Sequence, residues 1–217
     1  MQIEVYSDVV CPWCFVGKRR LEQALERIGP AQRVEVGWRP FELNPTMPKA
    51  GMERRTYLQE KFGGAEALRG MEDRLTKAGE ADGIEFAFDQ IARTPNTFDA
   101  HRLIWFAGQQ NCQDEVVEAL FHSYFTKGGE IGKLDSLAEI ASHCGIDREE
   151  VDRFLASDQA VQEVRTEEAT GRRLGIRGVP YFVLNGSIAI SGAQPSEIFV
   201  TALQQAEDTV AKRKERA

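Results

Sequence analysis

Two cysteines separated by two residues, Cys11 and Cys14, are the residues of this chain best suited to carry chemistry. The alternating residues 2–7 before them predict a strand, and the helical pattern that follows begins at Pro12, which suits a first helical turn. Unpaired backbone N–H groups and the helix dipole at such a helix start stabilise a thiolate on Cys11. A separation of three residues places both sulfurs on one helical face, so Cys14 can attack a mixed disulfide held on Cys11. The spacing therefore predicts a redox-active pair.

A zinc site and a pair of buried structural thiols are the two alternative interpretations of this spacing. Zinc normally takes four ligands, of which a CxxC pair supplies two. His143 and Cys144 form another Cys/His cluster in the sequence, but adjacent helical residues point in different directions. No metal is therefore expected, and redox activity is favoured over both alternatives. Cys112 and Cys144 lie on predicted helices far apart in the sequence, which indicates isolated reduced thiols.

The predicted strands lie in two groups near the two ends of the chain. They are residues 2–7, 33–38, 181–184 and 187–190. The first two enclose a helix at residues 12–28, which Gly29-Pro30 ends, so they predict a β-α-β unit. The last two are joined by a two-residue Asn185-Gly186 turn, which is typical of a hairpin, and a final helix follows.

The long segment between the two groups of strands shows helical spacing of its apolar residues. We expect six or seven helices there. The predicted helix starts are Thr97, Asp135 and the capping box that begins at Asp147. The sequence therefore predicts an α/β protein in which one β/α domain, residues 1–44 and 176–217, carries an all-helical insertion at residues 45–175.

The composition and charge favour a globular protein without a nucleic acid or membrane partner. The 217 residues are 42% hydrophobic and 28% charged, which is enough to bury a substantial core. Lys and Arg number 27 against 34 Asp and Glu, and the net charge of -7 offers no general attraction to phosphate backbones or anionic lipids. The start of the chain lacks the pattern of a signal peptide, and four cysteines are too few for a disulfide scaffold. We therefore expect a cytoplasmic protein.

Five segments of the sequence resemble one known family. They are SDVVCPWC at 7–14, RTPNT at 93–97, DAHR at 99–102, GVPYFV at 178–183 and SGAQ at 191–194. The first and fourth, with the helical block between them, resemble the DsbA family of thiol-disulfide oxidoreductases. The other three resemble, more narrowly, its cytoplasmic FrnE-like branch. The match runs over most of the chain, and it implies a thioredoxin-like core with a helical insertion.

The resemblance also implies substrate-binding positions around the two cysteines. In the family the Val-Pro peptide is cis and faces the redox cysteines, and the matching residues here are Val179 and Pro180. The Val179 backbone would then pair with an extended substrate strand beside Cys11. By propensity alone, Pro180 begins a strand in the trans form. We also assign Pro12 and Trp13 to substrate contact, with packing against the insertion as the alternative for Trp13.

Two titratable residues near these segments have two interpretations each. Asp8 lies three residues before Cys11, where it is either a proton acceptor for Cys14 or a cap of the following helix, with the cap favoured. His101 either borders the active-site cleft or is a histidine satisfied elsewhere, with the second interpretation favoured. The sequence alone leaves both roles open.

The predicted function is that of a thiol-disulfide oxidoreductase or isomerase acting on protein or small thiol substrates. The resemblance implies no cofactor beyond the redox-active disulfide, with glutathione or a thioredoxin-type protein as reductant and glutathione also as a candidate co-substrate. The same architecture carries glutathione-dependent transferases and isomerases, which have serine at the position of Cys11, so the presence of both Cys11 and Cys14 favours redox chemistry. A redox-inactive module that uses the helical insertion as a docking surface is a third hypothesis.

Overall fold

Two β-sheets and a series of α-helices make up the fold, which is of the predicted α/β class. The computed structural model describes residues 1–29 and 33–214. The strands are β1 (Gln2–Ser7), β2 (Glu35–Pro40), β3 (Met52–Glu53), β4 (Arg93–Thr94), β5 (Tyr181–Leu184) and β6 (Ile188–Ser191). The α-helices are α1 (Pro12–Ile28), α2 (Arg54–Phe62), α3 (Ala65–Ala81), α4 (Phe98–Gln109), α5 (Gln113–Lys127), α6 (Leu134–His143), α7 (Arg148–Ala156), α8 (Val161–Arg173) and α9 (Ser196–Lys214).

The larger sheet has the strand order β2-β1-β5-β6, which gives β1 two neighbouring strands. β1 is parallel to β2 and antiparallel to β5, and β6 is antiparallel to β5. Ile3 and Val5 of β1 are at most 1% exposed. Because this central strand ends inside the protein, it places Ser7 and Asp8 in a buried position next to the start of α1.

Two of the four predicted strands have shifted bounds. β2 covers residues 35–40 instead of 33–38, because all six of its residues pair with the six residues of β1. β6 begins at Ile188, one residue later than predicted, since the Ser187 N–H closes the hairpin turn on the Leu184 carbonyl at 3.0 Å.

Helix α1 lies between the larger sheet and helix α5. It approaches the sheet closely at Gly17, where a Cβ atom would lie 3.0 Å from Pro180 and 3.1 Å from Phe182. On its other side, Phe15 stacks on Phe121 of α5 with ring centroids 5.2 Å apart. These contacts hold the start of α1 against the beginning of β5.

The helices of the long central segment agree with the prediction in number, and one of their predicted starts is wrong. Seven α-helices, α2 to α8, occupy the described residues 54–173. Asp147 caps α7 as predicted and accepts a hydrogen bond from the Glu150 N–H at 2.9 Å. The predicted start at Asp135 is wrong, because α6 begins at Leu134 and Asp135 lies in its first turn, where an acid favours the helix dipole.

The start of α4 and the end of α1 were also predicted from the sequence. α4 begins after Thr97 as predicted, but the side chain that caps its first N–H is that of Asn96, whose Oδ1 accepts from the Phe98 N–H at 3.0 Å. Gly29 ends α1 with a φ of 79°, which a glycine adopts without strain. The predicted stop at Pro30 lies outside the described residues.

The two-stranded sheet of β3 and β4 was not predicted. Each strand has two residues, which is too short for an alternating pattern to be recognised. Arg93 of β4 supports the pairing by donating to the Ala50 carbonyl at 2.7 Å. One cluster of buried apolar side chains runs from β1 and α1 into the helical segment. The division into a domain of residues 1–44 and 176–217 and an insertion of residues 45–175 therefore remains a proposal.

Candidate redox site

Cys11 and Cys14 lie at the start of α1, shortly after the end of the central strand. Cys11 is the N-cap residue, with an extended backbone at φ -93° and ψ 108°, and Pro12 is the first helical residue. The turn is closed by the Cys11 N–H, which donates to the Asp8 carbonyl at 2.9 Å. Cys11 is 5% exposed and Cys14 is 1% exposed, and both are free thiols. The strand-to-helix setting predicted for the two cysteines is therefore present.

The thiol of Cys14 is the more deeply buried of the two and is held in its neutral form. Burial raises the pKa of Cys14 well above its ordinary value, and the hydrogen bond and charge of Cys11 raise it further. The polar groups of the Ser7 side chain and the Asp8 backbone oppose this rise in the pKa of Cys14. Cys14 must therefore lose a proton to a base before it can act as a nucleophile.

Val179 and Pro180 lie beside the CxxC segment, just before β5. The peptide bond between them is cis, as the family resemblance implied, and not trans. The Val179 carbonyl accepts a hydrogen bond from Cys11 Sγ at 3.5 Å. The structure therefore brings the late Val-Pro segment and the early CxxC segment together.

A cleft of about 330 Å³ opens beside Cys11 and is lined mainly by apolar side chains. Pro12 and Trp13 form part of its wall, together with residues of α2 and of the segment after β2. Trp13 is 36% exposed, Leu43 is 36% exposed and Phe62 is 41% exposed. Trp13 thus forms part of the cleft wall and presents apolar surface to solvent, and its contact with substrate stays a prediction. The sequence analysis missed Leu43 and Phe62, because single apolar residues in a loop and at a helix end carry no periodic signal.

The carboxylate of Asp8 does not cap α1, so the favoured sequence interpretation is wrong. Asp8 is fully buried, and its Oδ2 accepts a hydrogen bond from the Leu43 N–H at 2.7 Å. Its Oδ1 lies 3.5 Å from His101 Nε2. The second interpretation, a proton acceptor for Cys14, stays a prediction.

His101 is a buried residue that lies against Asp8 and does not line the cleft beside Cys11. It is 3% exposed, and within the described residues neither His101 Nε2 nor Asp8 Oδ1 has a hydrogen-bond partner. Glu42, which is 6% exposed, lies within electrostatic range of both. Burial raises the pKa of Glu42 to about 7; Glu168 and Asp8 add to the rise and His101 opposes it. Glu42 and Glu168 were missed because single acids in a loop and on a helix resemble ordinary surface residues.

Cys112 and Cys144 are both free thiols, as the sequence indicated, but they lie closer together than their separation in the sequence suggests. Both are free and half-buried, Cys112 before α5 and Cys144 after α6. Burial raises the pKa of Cys144, and the charges of Cys112 and Glu115 raise it further, which places the two thiols within electrostatic range. The packing of α5 against α6 brings them together.

Across residues 1–29 and 33–214, no group of three or more His, Cys, Asp and Glu side chains is arranged to hold a metal ion. In the same part of the chain, no helix has both the length and the apolar character needed to cross a membrane.

The sheet order, the CxxC motif at a helix start and the adjacent cis-proline define a thioredoxin-fold thiol protein. The sequence matches the DSBA-like thioredoxin domain over residues 2–204, so the chain belongs to the DsbA-like thioredoxin family. Membership in this family supports thiol-disulfide oxidoreductase activity in general.

Individual relatives agree with this assignment. The chain is 29% identical over 211 residues to "Uncharacterized protein YwbO" of Bacillus subtilis (strain 168), covering 94% of this chain and 96% of the relative. The crystal structure of "probable DsbA oxidoreductase SCO1869" from Streptomyces coelicolor has a TM-score of 0.87 and 37% identity, and covers 96% of this chain and 90% of that one.

Two more distant structures share the fold. A 2-hydroxychromene-2-carboxylate isomerase has a TM-score of 0.71 and 15% identity, covering 100% of this chain and 98% of that one. The cytosolic disulfide reductase DsbM from Pseudomonas aeruginosa has a TM-score of 0.64 and 16% identity, covering 100% of both chains. At these identities the likeness shows the fold alone.

Proposed function

We propose that this protein is a thiol-disulfide oxidoreductase in which Cys11 is the nucleophile and Cys14 the resolving thiol. The observation that carries the proposal is the arrangement of the two free thiols. Cys11 occupies the helix N-cap beside the cleft, whereas Cys14 lies behind it and is 1% exposed. A substrate sulfur therefore meets Cys11 first.

The reaction proceeds in two exchange steps. The Cys11 thiolate attacks one sulfur of a substrate disulfide, a mixed disulfide forms, and the other substrate sulfur leaves as a thiolate. Cys14 then loses its proton and attacks the Cys11 sulfur, so the Cys11–Cys14 bond forms and the second substrate thiolate leaves. The substrate gains two electrons and the protein loses two. The reverse sequence oxidises a dithiol.

The proposed substrates are disulfides or dithiols of proteins that present an apolar side chain next to the reacting cysteine. The exposed apolar surface of Trp13, Leu43 and Phe62 around the cleft supports this class, because burying such surface favours binding. Val179 lies beside Cys11, where its backbone can pair with an extended peptide. Glutathione or a thioredoxin-type protein is the proposed regenerating thiol, and a DsbM structure solved with GSH supports glutathione. The name of that relative, a cytosolic reductase, supports a cytoplasmic location.

A glutathione-dependent isomerase is the second candidate function, and the shared fold of the hydroxychromene carboxylate isomerase favours it. In that class glutathione is bound as a cofactor and no protein disulfide forms. The two free cysteines at the helix start favour thiol-disulfide exchange over isomerisation. The two functions differ in whether Cys14 is needed, since only disulfide exchange uses a resolving thiol.

The test is the rate of exchange with two peptide disulfides of equal charge, one with Leu and Phe beside the cysteine and one with Ser. The wild type should react about tenfold faster with the apolar peptide. Phe62→Ser should reduce that preference, whereas Ile198→Ser, a control at a side chain that is 48% exposed on α9, should leave it unchanged. Cys11→Ser should abolish exchange. Full exchange by Cys11→Ser would overturn the proposed nucleophile, and equal rates with both peptides would overturn the substrate class.

A further inference from the structure

A polar cavity of about 630 Å³ lies apart from the cleft beside Cys11, and the two share no lining residue. It is enclosed by the loop after β2 at residues 42–49, the start of α4 at residues 96–102, and the segment 155–168 from the end of α7 into α8. Small-molecule sites commonly have volumes of about 300–1,000 Å³. The cavity is therefore large enough for a small ligand, and disulfide exchange at Cys11 does not account for it.

The buried charged side chains of this cavity are paired with one exception. Arg102 donates to Asp99 at 2.8 Å and otherwise to backbone carbonyls. Glu168 pairs with Arg172, one turn further along α8, at 2.7 Å. In the described part of the chain, no Lys or Arg nitrogen lies within 4.0 Å of the Glu42 carboxylate. Glu42 is thus a buried acid without a cation.

The side chain of Glu42 also lacks a hydrogen-bond donor. Glu42 is 6% exposed, and its Oε1 has no partner among the residues that the structure describes. Its backbone is fixed against α8, because its N–H donates to Glu168 Oε1 at 3.2 Å and its carbonyl accepts from Arg172 at 3.1 Å. A buried acceptor left unsatisfied costs about 1–3 kcal/mol. A ligand that supplies a donor to Glu42 removes this cost.

The remaining charges of the cavity belong to exposed side chains. They are Lys49, Asp158 and Arg165. Water and salt screen exposed charges strongly, so these side chains have little effect on the free energy of a charge held deep in the cavity. The buried acids Glu42 and Glu168, of which only Glu168 has a counter-charge, therefore make the inner part of the cavity complementary to a cation.

We propose that this cavity binds a small organic amine, whose ammonium group donates a hydrogen bond to the carboxylate of Glu42. An ammonium group has three donors and no acceptor, so it satisfies Oε1 of Glu42 and adds no unsatisfied acceptor of its own. Its positive charge offsets the unpaired acid, and hydrogen bonds between ionised groups are the stronger ones. A metal ion fits less well, because in residues 1–29 and 33–214 no three His, Cys, Asp or Glu side chains are arranged to hold one. The site needs neither redox cysteine, so it is independent of disulfide exchange.

The titration of Glu42 makes amine binding depend on pH. Burial is the main cause that raises the pKa of Glu42 to about 7; Glu168 and Asp8 add to the rise, and His101 opposes it. Arg172, the remaining charged neighbour on α8, is engaged by Glu168. A bound ammonium group favours the ionised carboxylate, so binding lowers the pKa of Glu42 and releases a proton. The affinity should therefore be highest above about pH 8 and fall as the pH drops through 7.

The test compares 5-aminopentan-1-ol with pentane-1,5-diol, which has the same length and a hydroxyl in place of the ammonium group. Backbone amide shifts in the NMR spectrum of the ¹⁵N-labelled, reduced wild type report both the affinity and the place of binding. At pH 8 the amine should shift amides of residues 42–49 and 155–168. The diol should bind at least about tenfold more weakly. Lowering the pH from 8 to 6 should raise the Kd of the amine about tenfold, because the ionised fraction of Glu42 falls by that factor.

Glu42→Gln should weaken amine binding at pH 8 at least about tenfold and remove its dependence on pH. Glu167→Gln is the matched control, because it makes the same change of charge on α8 at a residue that does not line the cavity, and it should bind the amine as the wild type does. Wild-type affinity in Glu42→Gln would overturn the proposal. So would three results that need only the wild type: no amide shifts in the cavity, equal affinities for amine and diol, or an amine Kd that is constant within twofold from pH 6 to 8. These three keep the test decisive if Glu42→Gln fails to fold.

Discussion

The side chain of Arg102 on α4 ties the end of α7 to the rest of the protein, and its replacement gives a quantitative test of the fold. Its guanidinium is 4% exposed and donates to the carbonyls of Phe154, Leu155, Ser157 and Gln159, at distances from 2.6 to 3.3 Å. It also donates to Asp99 at 2.8 Å. Five N–H donors in a planar fork are thus used together, which a lysine cannot reproduce.

Arg102→Lys keeps the charge but leaves about two of the four carbonyls without a donor. Each buried carbonyl left unsatisfied costs about 1–3 kcal/mol. Two such carbonyls would cost about 2–6 kcal/mol. The polar cavity that Arg102 lines admits water to part of this region, so we expect the free energy of unfolding to fall by about 3 kcal/mol, near the lower end of that range. Arg148→Lys is the control, because Arg148 is 46% exposed and pairs with Asp135 at the surface, and we expect a change below about 0.5 kcal/mol.

Urea unfolding at 25 °C, followed by circular dichroism, measures both variants against the wild type. The midpoint should fall in Arg102→Lys with an unchanged slope. A fall in the free energy of unfolding of Arg102→Lys by less than about 1 kcal/mol, or by no more than in the control, would refute the reasoning. Either result would mean that water or the lysine satisfies those carbonyls.

Three further changes have defined outcomes. Gly171→Ala on α8 places a Cβ 2.7 Å from the Tyr6 ring. Urea unfolding should therefore show a fall of about 1–3 kcal/mol in the free energy of unfolding. Asn96→Ala removes the hydrogen bond that caps the first N–H of α4, and a thermal melt should show a loss of about 1 kcal/mol in the free energy of unfolding. Burial raises the pKa of Glu118, but the hydrogen bonds and charges of Arg19 and Lys18 together outweigh it and hold that pKa below its ordinary value. Its contribution to stability is therefore present above pH 4.5 and lost on acidification, and Glu118→Gln should flatten the pH dependence of unfolding between pH 5 and 3.

The position of Cys11 and Cys14 at a helix start could be predicted from the sequence because every signal that places them is local. Strand alternation up to Ser7, proline at the first helical position and the spacing of Cys11 and Cys14 all lie within a few residues. The strands and most helices followed from the same kind of pattern. The cis-proline at Pro180 came from the family resemblance, since propensity alone favoured the trans form.

The surroundings of the cysteines could not be predicted, because they are built from contacts between distant segments. His101 reaches Asp8 from α4, and Glu42 reaches it from the loop after β2. Cys112 approaches Cys144 through the packing of two helices, which no spacing in the sequence records. A single buried acid or histidine carries no periodic signal, so its burial emerges only from the tertiary structure.

The central claim is that Cys11 and Cys14 exchange disulfides as one redox couple. Its most direct test is equilibration in glutathione buffers of varied redox state, followed by acid quenching, alkylation and mass spectrometry of the intact chain. We expect one reversible two-electron transition that persists when Cys112 and Cys144 are replaced by serine. In Cys14→Ser that transition should vanish and a glutathione adduct should accumulate on Cys11. Failure to form a Cys11–Cys14 disulfide in any buffer, or an unchanged transition in Cys14→Ser, would contradict the account.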